Sequence, residues 1–253
     1  MAELDRRYGQ SQPVGRTDAG AIDQGLRAYM LSVYNYMAVG VAVTGIVAYA
    51  IYAMAVVTGS DGTITGLTPF GSLMYDSALK WVLFLAPLGL VFFISARINS
   101  MSLSTAKLSF WAFSALMGAS ISSIFLVYAG QSIAQVFFIT AAAFGSLSLW
   151  GYTTKRDISA WGSFLFMGLI GIIIAMVVNI FLASSALQFA ISVIGVLVFA
   201  GLTAYDTQQI KEMYSANDNS TLSGRKAVMG ALRLYLDFIN MFMMLLSLFG
   251  GRR

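Results

Sequence analysis

The sequence predicts an all-α integral membrane protein with about seven transmembrane helices. Of its 253 residues, 58% are hydrophobic and only 10% are charged, and the mean hydropathy is +0.77. A water-soluble domain usually carries about 25% charged residues, so the polar surface needed to cover a soluble globule is missing. The apolar residues also occur in runs that reach the roughly 20 residues a membrane-spanning helix needs. The bilayer must therefore be the solvent of this chain.

Six apolar segments are long enough to span the membrane. Their apolar residues are continuous rather than alternating, which favours helices over the strands of a membrane barrel. These six segments are residues 31–57, 79–98, 106–128, 132–152, 160–183 and 186–205. A seventh segment, residues 228–250, is different because it carries Arg233, Asp237 and Asn240. A helix this polar is predicted to lie in the interior of the bundle rather than against lipid.

The distribution of basic residues predicts a cytoplasmic N-terminus, because cytoplasmic loops of membrane proteins are enriched in lysine and arginine. One side of the predicted topology carries 11 basic residues: Arg6, Arg7, Arg16, Arg27, Arg97, Lys107, Lys155, Arg156, Lys211, Arg225 and Lys226. The other side carries Lys80, Arg252 and Arg253. Seven full spans place the C-terminus on this second side. A re-entrant last segment would return Arg252 and Arg253 to the cytoplasm, and charge counting favours that alternative.

Two regions are predicted along the chain. Residues 1–29 are mostly polar and are expected to form a flexible cytoplasmic tail. This tail lacks the early apolar core and the small-residue cleavage site of a signal peptide. Residues 30–253 are expected to form one domain of seven transmembrane helices.

Cysteine and histidine are both absent from the chain. Disulfides and thiolate metal sites are therefore excluded, and the side chain that most often binds metals and titrates near neutral pH is missing. Any response to pH must come from carboxylates in an altered environment. No glycine-rich phosphate loop, metal-ligand cluster or Ser/His/Asp set can be assembled. We therefore expect neither an enzyme nor a bound cofactor.

Charged residues inside membrane spans are costly and mark candidate functional sites. Asp206 ends the sixth predicted span on its cytoplasmic side, and Asp237 lies near mid-membrane depth in the seventh. Arg233 and Asn240 share a helical face with Asp237. Arg97 closes the second span on the same side as Asp206. Structural roles are also open: Arg233 could pair along its own helix, and Asp206 and Arg97 could be ordinary charges at helix ends.

Two C-terminal motifs resemble the Bax inhibitor family, also called the transmembrane Bax inhibitor motif proteins. The first is GLTAYDTQQI, in which Tyr205 precedes Asp206. The second is LYLDFINMFMMLLSLFG, in which Tyr235, Asp237 and Asn240 form a Tyr-x-Asp-Phe-x-Asn pattern. Tyr205, Tyr235 and Asn240 are expected to support the two aspartates. The span count and loop pattern agree with the family over the whole chain, and the match to bacterial members favours the bacterial plasma (inner) membrane.

The resemblance implies that six helices surround a central C-terminal helix. It also implies that Asp206 and Asp237 form a carboxylate pair that senses pH, acts as the gate and transiently contacts Ca²⁺ as the permeating ion. An arginine of the second helix latches the pair closed in such relatives; Arg97 matches it, and Arg233 is the other candidate charge partner. The implied function is a Ca²⁺ leak channel closed at low pH, because two close carboxylates in a low-dielectric site share a proton. The linker SANDNSTLSGRK between the aspartates is long for this family.

Three other functions are open at this stage, and one of them is a proton-coupled solute transporter, for which the sequence reveals no substrate pocket. A protein without transport activity would bind and modulate a membrane partner, such as a membrane-bound protease complex, through its tail or through the Met-rich face of Met241, Met243 and Met244. An intramembrane aspartyl protease would also use two aspartates on adjacent helices. Its second motif requires Gly-x-Gly before the aspartate, whereas the bulky Leu-Tyr-Leu precedes Asp237 here.

Overall fold

The computed structural model describes residues 15–60 and 63–253, with side chains from Asp23 onward. Its elements in chain order are α1 (Gly15–Ala55), β1 (Val56–Thr58), β2 (Ile64–Leu67), α2 (Pro69–Tyr75), α3 (Leu79–Arg97), α4 (Leu103–Ile121), α5 (Ile124–Val127), α6 (Gly130–Thr153), α7 (Trp161–Leu182), α8 (Ser185–Glu212) and α9 (Ser220–Phe249). Seven stretches of this described part are long and apolar enough to cross a membrane: Asp23–Ala55, Leu79–Arg97, Leu103–Val127, Gly130–Thr153, Trp161–Leu182, Ser185–Glu212 and Ser220–Phe249. The predicted fold class, an all-α membrane protein with seven spans, is confirmed.

Two helices extend beyond their predicted ends. α1 begins at Gly15, so residues 15–29, which were expected to belong to a flexible tail, are helical. The rest of that predicted tail, residues 1–14, lies outside the described residues. α8 continues to Glu212, so Asp206 lies within the helix rather than at its end. Apolar runs alone underestimate the length of such helices, because the helices continue as polar turns into the headgroup region and water.

The connection between the two aspartate-bearing helices is short. More than half of the linker that the sequence suggested is helix, because α9 begins directly after Asn219. Asn219 caps this helix, since its Oδ1 accepts a hydrogen bond from the Leu222 amide at 2.8 Å. Lys226 holds the loop, with its Nζ 2.6 Å from Asp218 Oδ2 and 2.9 Å from the Met213 carbonyl oxygen. As a result α8 and α9 are antiparallel neighbours.

The last helix crosses the whole bundle, which corrects the re-entrant alternative. With 30 residues, α9 is about 45 Å long. The loop before it lies beside the first part of α1, where the rings of Tyr29 and Tyr214 are 5.6 Å apart. The chain end lies at the other end of α1, where the Arg253 guanidinium sits 5.7 Å from the centroid of the Tyr52 ring. Arg252 and Arg253 therefore lie on the side opposite to the start of α1.

α9 is the most buried of the spans. In its apolar window 61% of the residues are buried inside the protein, against 11% to 33% in the other six. It packs against α1, α4, α6 and α8, whereas α3 makes its main interhelical contacts with α4, and α7 with α8. Four of the six other spans thus pack closely on α9, and two lie at the periphery. This packing shields Asp237, which is 4% exposed, from lipid.

The Met-rich face that the sequence suggested as a partner surface lies inside the bundle. Met241 and Met244 are 1% and 7% exposed, and Met243 is partly buried. Met244 fits against Gly195 of α8, where an added Cβ would lie 2.9 Å from the Met244 Cγ. The prediction of a partner surface at these residues is therefore wrong. Their flexible thioethers fill the space between helices instead.

Candidate functional site

Two close contacts define how α8 and α9 lie side by side. Near the loop, a Cβ on Gly230 would lie 2.9 Å from Ile210 Cγ2. Near the other end, the hydroxyl oxygens of Ser192 and Ser247 are 3.1 Å apart. Because the helices are antiparallel, each step forward along α8 is matched by a step back along α9. This register determines which polar side chains meet across the interface.

Three charged residues meet at this α8–α9 interface. Asp206 is level with Arg233, whose Nη1 is 3.9 Å from Asp206 Oδ1. Asp237 lies one turn further along α9, and its carboxyl group is within hydrogen-bonding reach of the Asp206 carboxyl group. We refer to Asp206, Arg233 and Asp237 as the charged cluster. The cluster brings together side chains from two helices that are connected by a short loop.

The members of the charged cluster differ in exposure. Asp237 is 4% exposed, and its Oδ2 has no hydrogen-bond partner among the described residues. The side chain of Asp206 is 16% exposed and that of Arg233 is 42% exposed. A buried carboxylate with unfilled hydrogen-bonding capacity is destabilising unless it is protonated or paired with a cation. One proton held between the two carboxyl groups would meet this need, and Arg233 would balance the remaining negative charge.

A chain of hydroxyl groups links α1 and α6 to α8 beside the cluster. The Tyr34 hydroxyl is 2.7 Å from Ser148 Oγ, and Ser148 Oγ is 2.9 Å from Thr207 Oγ1. Thr207 donates its hydrogen to the Thr203 carbonyl oxygen at 2.7 Å, so the other two hydroxyls donate in order towards α8. Thr207 follows Asp206 directly in sequence. The sequence gives no sign of these linked hydroxyl groups, because single hydroxyls in separate spans share no spacing.

Tyr235 packs on the side of α9 that faces α1 and α4. Its hydroxyl is 2.6 Å from Thr44 Oγ1, and Thr44 in turn donates to a carbonyl oxygen, that of Ser114 at 2.8 Å or that of Gly40 at 2.9 Å. Because the threonine hydrogen is already used, the tyrosine is the donor of the first bond. The Tyr235 ring lies edge-on to Phe110 and Phe113, with centroid distances of 5.9 and 5.2 Å. Tyr235 therefore stabilises the packing of three helices.

Removal of the Tyr235 hydroxyl is expected to destabilise the bundle modestly. Tyr235→Phe keeps the ring contacts but loses the hydrogen bond to Thr44, and such a bond between membrane helices contributes roughly 0.5–2 kcal/mol. We expect the free energy of unfolding in detergent to fall by about 1 kcal/mol. Tyr49→Phe is the control, because Tyr49 is 60% exposed. Equal stability of both variants and the wild type would contradict this role.

The predicted latch, Arg97, lies away from the charged cluster. It is the last residue of α3, its side chain is exposed, and it forms no ion pair with a described residue. α3 packs mainly on α4 at the periphery of the bundle, not on α8 or α9. The structure therefore does not pair Arg97 with the aspartates, and the latch stays a prediction. The cation beside Asp206 is Arg233, which the sequence offered as the other candidate.

Asn240 and Tyr205 also have partners outside the charged cluster. Asn240 donates from Nδ2 to the Leu236 carbonyl oxygen of its own helix at 2.8 Å. Tyr205 faces α7, where a Cβ on Gly162 would lie 2.5 Å from the tyrosine hydroxyl oxygen. Neither side chain is brought to the aspartates, although both belong to the motifs that identified the site.

The cluster offers few ligands for a metal ion. Ca²⁺ takes about six to eight oxygen ligands in a tight site. Within the described residues there is no group of three or more His, Cys, Asp or Glu that could hold a metal ion. Asp206 and Asp237 alone supply too few oxygen ligands for a tight calcium site.

One protein family matches nearly the whole chain. The family profile described as "Inhibitor of apoptosis-promoting Bax1" matches residues 26–253. The chain belongs to the Bax inhibitor family. The matched range includes all seven spans except the first three residues of the first one, and it includes the charged cluster. The family resemblance inferred from the two C-terminal motifs is thus confirmed.

Bacterial proteins are similar to this Bax inhibitor family member over most of its length. The inner membrane protein YbhL of Escherichia coli (strain K12) is 46% identical over 233 residues, which cover 90% of this chain and 94% of YbhL. The uncharacterised protein RP147 of Rickettsia prowazekii (strain Madrid E) is 44% identical over 231 residues, 91% of this chain and 92% of RP147. An uncharacterised membrane protein of Streptococcus pyogenes serotype M1 is 34% identical over 228 residues, 90% of this chain and 94% of that protein. Two of these three relatives are described as membrane proteins, which agrees with the seven apolar spans of this chain.

Proposed function

We propose that this Bax inhibitor family protein is a pH-sensitive Ca²⁺ leak channel gated by Asp206 and Asp237. The observation that carries the proposal is the approach of the two carboxyl groups across the α8–α9 interface, with Arg233 beside them. A proton shared by the carboxyl groups, together with Arg233, leaves the charged cluster close to neutral. A neutral cluster is compatible with the apolar surroundings of the closed bundle.

Loss of the shared proton would open the gate. Two ionised carboxylates repel each other, and Arg233 balances only one of the two negative charges, so the contact between α8 and α9 is weakened. The separated helices then present a negatively charged path that attracts divalent cations. Since the proton is bound at low pH and released as pH rises, the channel is closed at low pH and opens towards higher pH.

A polar cavity lies beside the α8–α9 loop. It has a volume of about 520 Å³ and is lined by Tyr29, Ser32 and Asp218, among others. Tyr29 is within electrostatic range of Arg233, and its buried hydroxyl has no hydrogen-bond partner among the described residues. Water that fills this cavity would supply protons on the loop side of the bundle.

Calcium influx into liposomes tests the proposal. The purified protein is reconstituted into liposomes loaded with a calcium indicator, and influx is recorded between about pH 6 and pH 8 against protein-free liposomes. We expect protein-dependent influx that rises with pH, by up to about tenfold per pH unit if opening releases one proton. Absence of protein-dependent influx at every pH, from protein shown to be folded by its thermal unfolding, would contradict the proposal.

The same experiment separates the channel from a modulator that does not transport. A modulator of a membrane-bound protease, or of another membrane partner, would give no influx and would co-purify with that partner in stoichiometric amounts. Of the two surfaces suggested for such a partner, the Met-rich face is buried at Met241 and Met244, and residues 1–14 of the tail lie outside the described residues. We propose no enzymatic role either, since Leu234 and Tyr235 before Asp237 are fully buried and leave no room for a substrate backbone.

Replacement of Arg233 by glutamine is expected to move the rise of influx to higher pH. At 3.9 Å the guanidinium favours the ionised form of Asp206, so without it the carboxyl groups keep their proton to a higher pH. Solvent screens this partly exposed cation, and we expect a shift of about half to one pH unit. Arg97→Gln is the matched control and should leave the profile unchanged. A shift in Arg97→Gln with none in Arg233→Gln would contradict the assignment of the cation.

A further inference from the structure

An apolar groove runs between α1 and α6 within the membrane-spanning region. Its volume is about 600 Å³. Leu31 and Leu149 lie at its rim and are 52% and 62% exposed, whereas Met37 and Phe144 form its floor and are 7% and 6% exposed. Exposed leucines on transmembrane helices face the hydrocarbon, so the groove opens sideways into the bilayer.

The groove is as long as one leaflet is thick. It extends along α1 from Arg27 to Ala38, which is roughly 16 Å at 1.5 Å per residue. The hydrocarbon core is about 30 Å thick, so one leaflet contributes about half of that. On α6 the lining extends in the opposite direction, from Tyr152 at the Arg27 end to Phe144 at the deeper end. The groove therefore runs from headgroup level to the middle of the bilayer.

The headgroup end of the groove is positively charged and the remainder is apolar. Arg27 lines this end, is exposed, and forms no ion pair with a described residue. Lys211 lies close by, with its Nζ 2.9 Å from the Tyr152 carbonyl oxygen and 5.4 Å from the centroid of that ring. The Tyr34 hydroxyl in the groove is already bonded to Ser148. A cation at one end of the groove can therefore bind an anion. Along the rest of the groove the walls have no free hydroxyl group that could bind water.

We propose that a phospholipid occupies this groove, with one acyl chain between α1 and α6 and its phosphate on Arg27. Water is disfavoured along apolar walls, and lipid chains are the apolar groups available at this depth of the bilayer. The length of the groove matches one chain of one leaflet, and the charge at its end matches a phosphodiester. This binding site does not depend on the proposed channel function, and its test does not use ion flux.

Photo-crosslinking with a lipid tests the site. The protein is reconstituted into liposomes that contain a phosphatidylglycerol with a diazirine in its acyl chain, irradiated and digested, and the adducts are mapped by mass spectrometry. We expect adducts concentrated on the α1 and α6 residues that line the groove, above the level on the exposed faces of α3 and α7. Uniform labelling of all lipid-exposed helices would overturn the proposal, because it would indicate only the general lipid surroundings.

Two glycine variants make the test specific. Gly145 lines the groove, and a Cβ there meets nothing within 4 Å, so Gly145→Phe adds a bulky side chain at the groove from an unobstructed Cβ position. Gly171 on α7 is equally open but lies outside the groove, and Gly171→Phe is the control. We expect groove labelling to fall about fivefold or more in Gly145→Phe and to stay unchanged in Gly171→Phe. Unchanged groove labelling in Gly145→Phe overturns the proposal.

Two more variants complete the test. One removes the headgroup contact, and the other replaces Gly145→Phe if that variant does not fold. Arg27→Gln should lower groove labelling by phosphatidylglycerol severalfold, and labelling equal to the wild type would overturn the assignment of the phosphate. If Gly145→Phe does not fold, Ala38→Phe fills the groove from the exposed face of α1 instead. Crosslinking of the groove to a second protein helix, with no lipid adducts in it, would also overturn the proposal.

Discussion

An Asp237→Asn variant is expected to lose the pH dependence of Ca²⁺ influx. Asparagine is neutral and similar in shape, and its amide can donate a hydrogen bond to Asp206 as a protonated carboxyl group would. The closed contact between α8 and α9 should then persist at high pH. In liposomes we expect influx at about pH 8 to fall roughly tenfold or more below the wild type. Across about pH 6 to pH 8 the influx of the variant should change by less than about twofold.

Two matched variants define what that result would mean. Asp206→Asn should lose the pH dependence in the same way, because one remaining carboxylate beside Arg233 has no like charge to repel it. Asp157→Asn should behave as the wild type. Hydrogen bonds from the Ser159 side chain and from its amide, at 2.8 Å, hold the pKa of the exposed Asp157 carboxyl below its usual value, so it is ionised throughout this range. A normal pH profile in Asp237→Asn, or the same loss in Asp157→Asn, would contradict the gate.

A Gly151→Ala variant is expected to lose about 1–3 kcal/mol of unfolding free energy, as overpacked cores commonly do. The added Cβ would lie 2.3 Å from the Ala204 carbonyl oxygen, which belongs to the backbone of α8. The clash cannot be relieved by a side-chain rotation, so α6 and α8 must move apart. The 2.9 Å hydrogen bond between Ser148 and Thr207 lies one turn away on the same interface and would lengthen.

Gly145→Ala on the same helix is the control for this effect. A Cβ at Gly145 meets nothing within 4 Å, so alanine adds no clash there and is the better helix former by up to about 1 kcal/mol. Thermal and denaturant unfolding in detergent should show Gly151→Ala below the wild type and Gly145→Ala at or above it. Equal stabilities of the two variants would contradict the close approach of α6 and α8.

The spans and the aspartates could be predicted because each has a strong physical cause. The thickness of the hydrocarbon forces long apolar helices, and these appear as continuous runs in the sequence. A carboxylate in such a run is rare enough to stand out, which pointed to Asp237 and, at the end of another run, to Asp206. Arg233 stood out for the same reason, although the sequence could not decide between it and Arg97. In the structure Arg233 is the cation beside Asp206, because α8 and α9 are neighbours whereas α3 lies at the periphery of the bundle.

The close contacts between helices could not be predicted, because they depend on how each helix is rotated. Gly145 and Gly151 lie on one helix and look alike in the sequence, yet one faces the groove and the other touches the α8 backbone. The hydroxyls of Tyr34, Ser148 and Thr207 come from three separate spans. Single small or polar residues in an apolar helix carry no periodic signal, so only the packed bundle reveals their partners.

Infrared difference spectroscopy of the reconstituted protein tests most directly whether a shared proton controls the gate. Spectra between about pH 6 and pH 8 are compared for the wild type, Asp237→Asn and Asp157→Asn. We expect a protonated carboxyl band in the wild type that disappears as pH rises, with the same midpoint as the rise of calcium influx. The band should be missing in Asp237→Asn and unchanged in Asp157→Asn. Absence of a protonated carboxyl group in the wild type at about pH 6, or a band that titrates apart from the influx, would contradict the proposed gate.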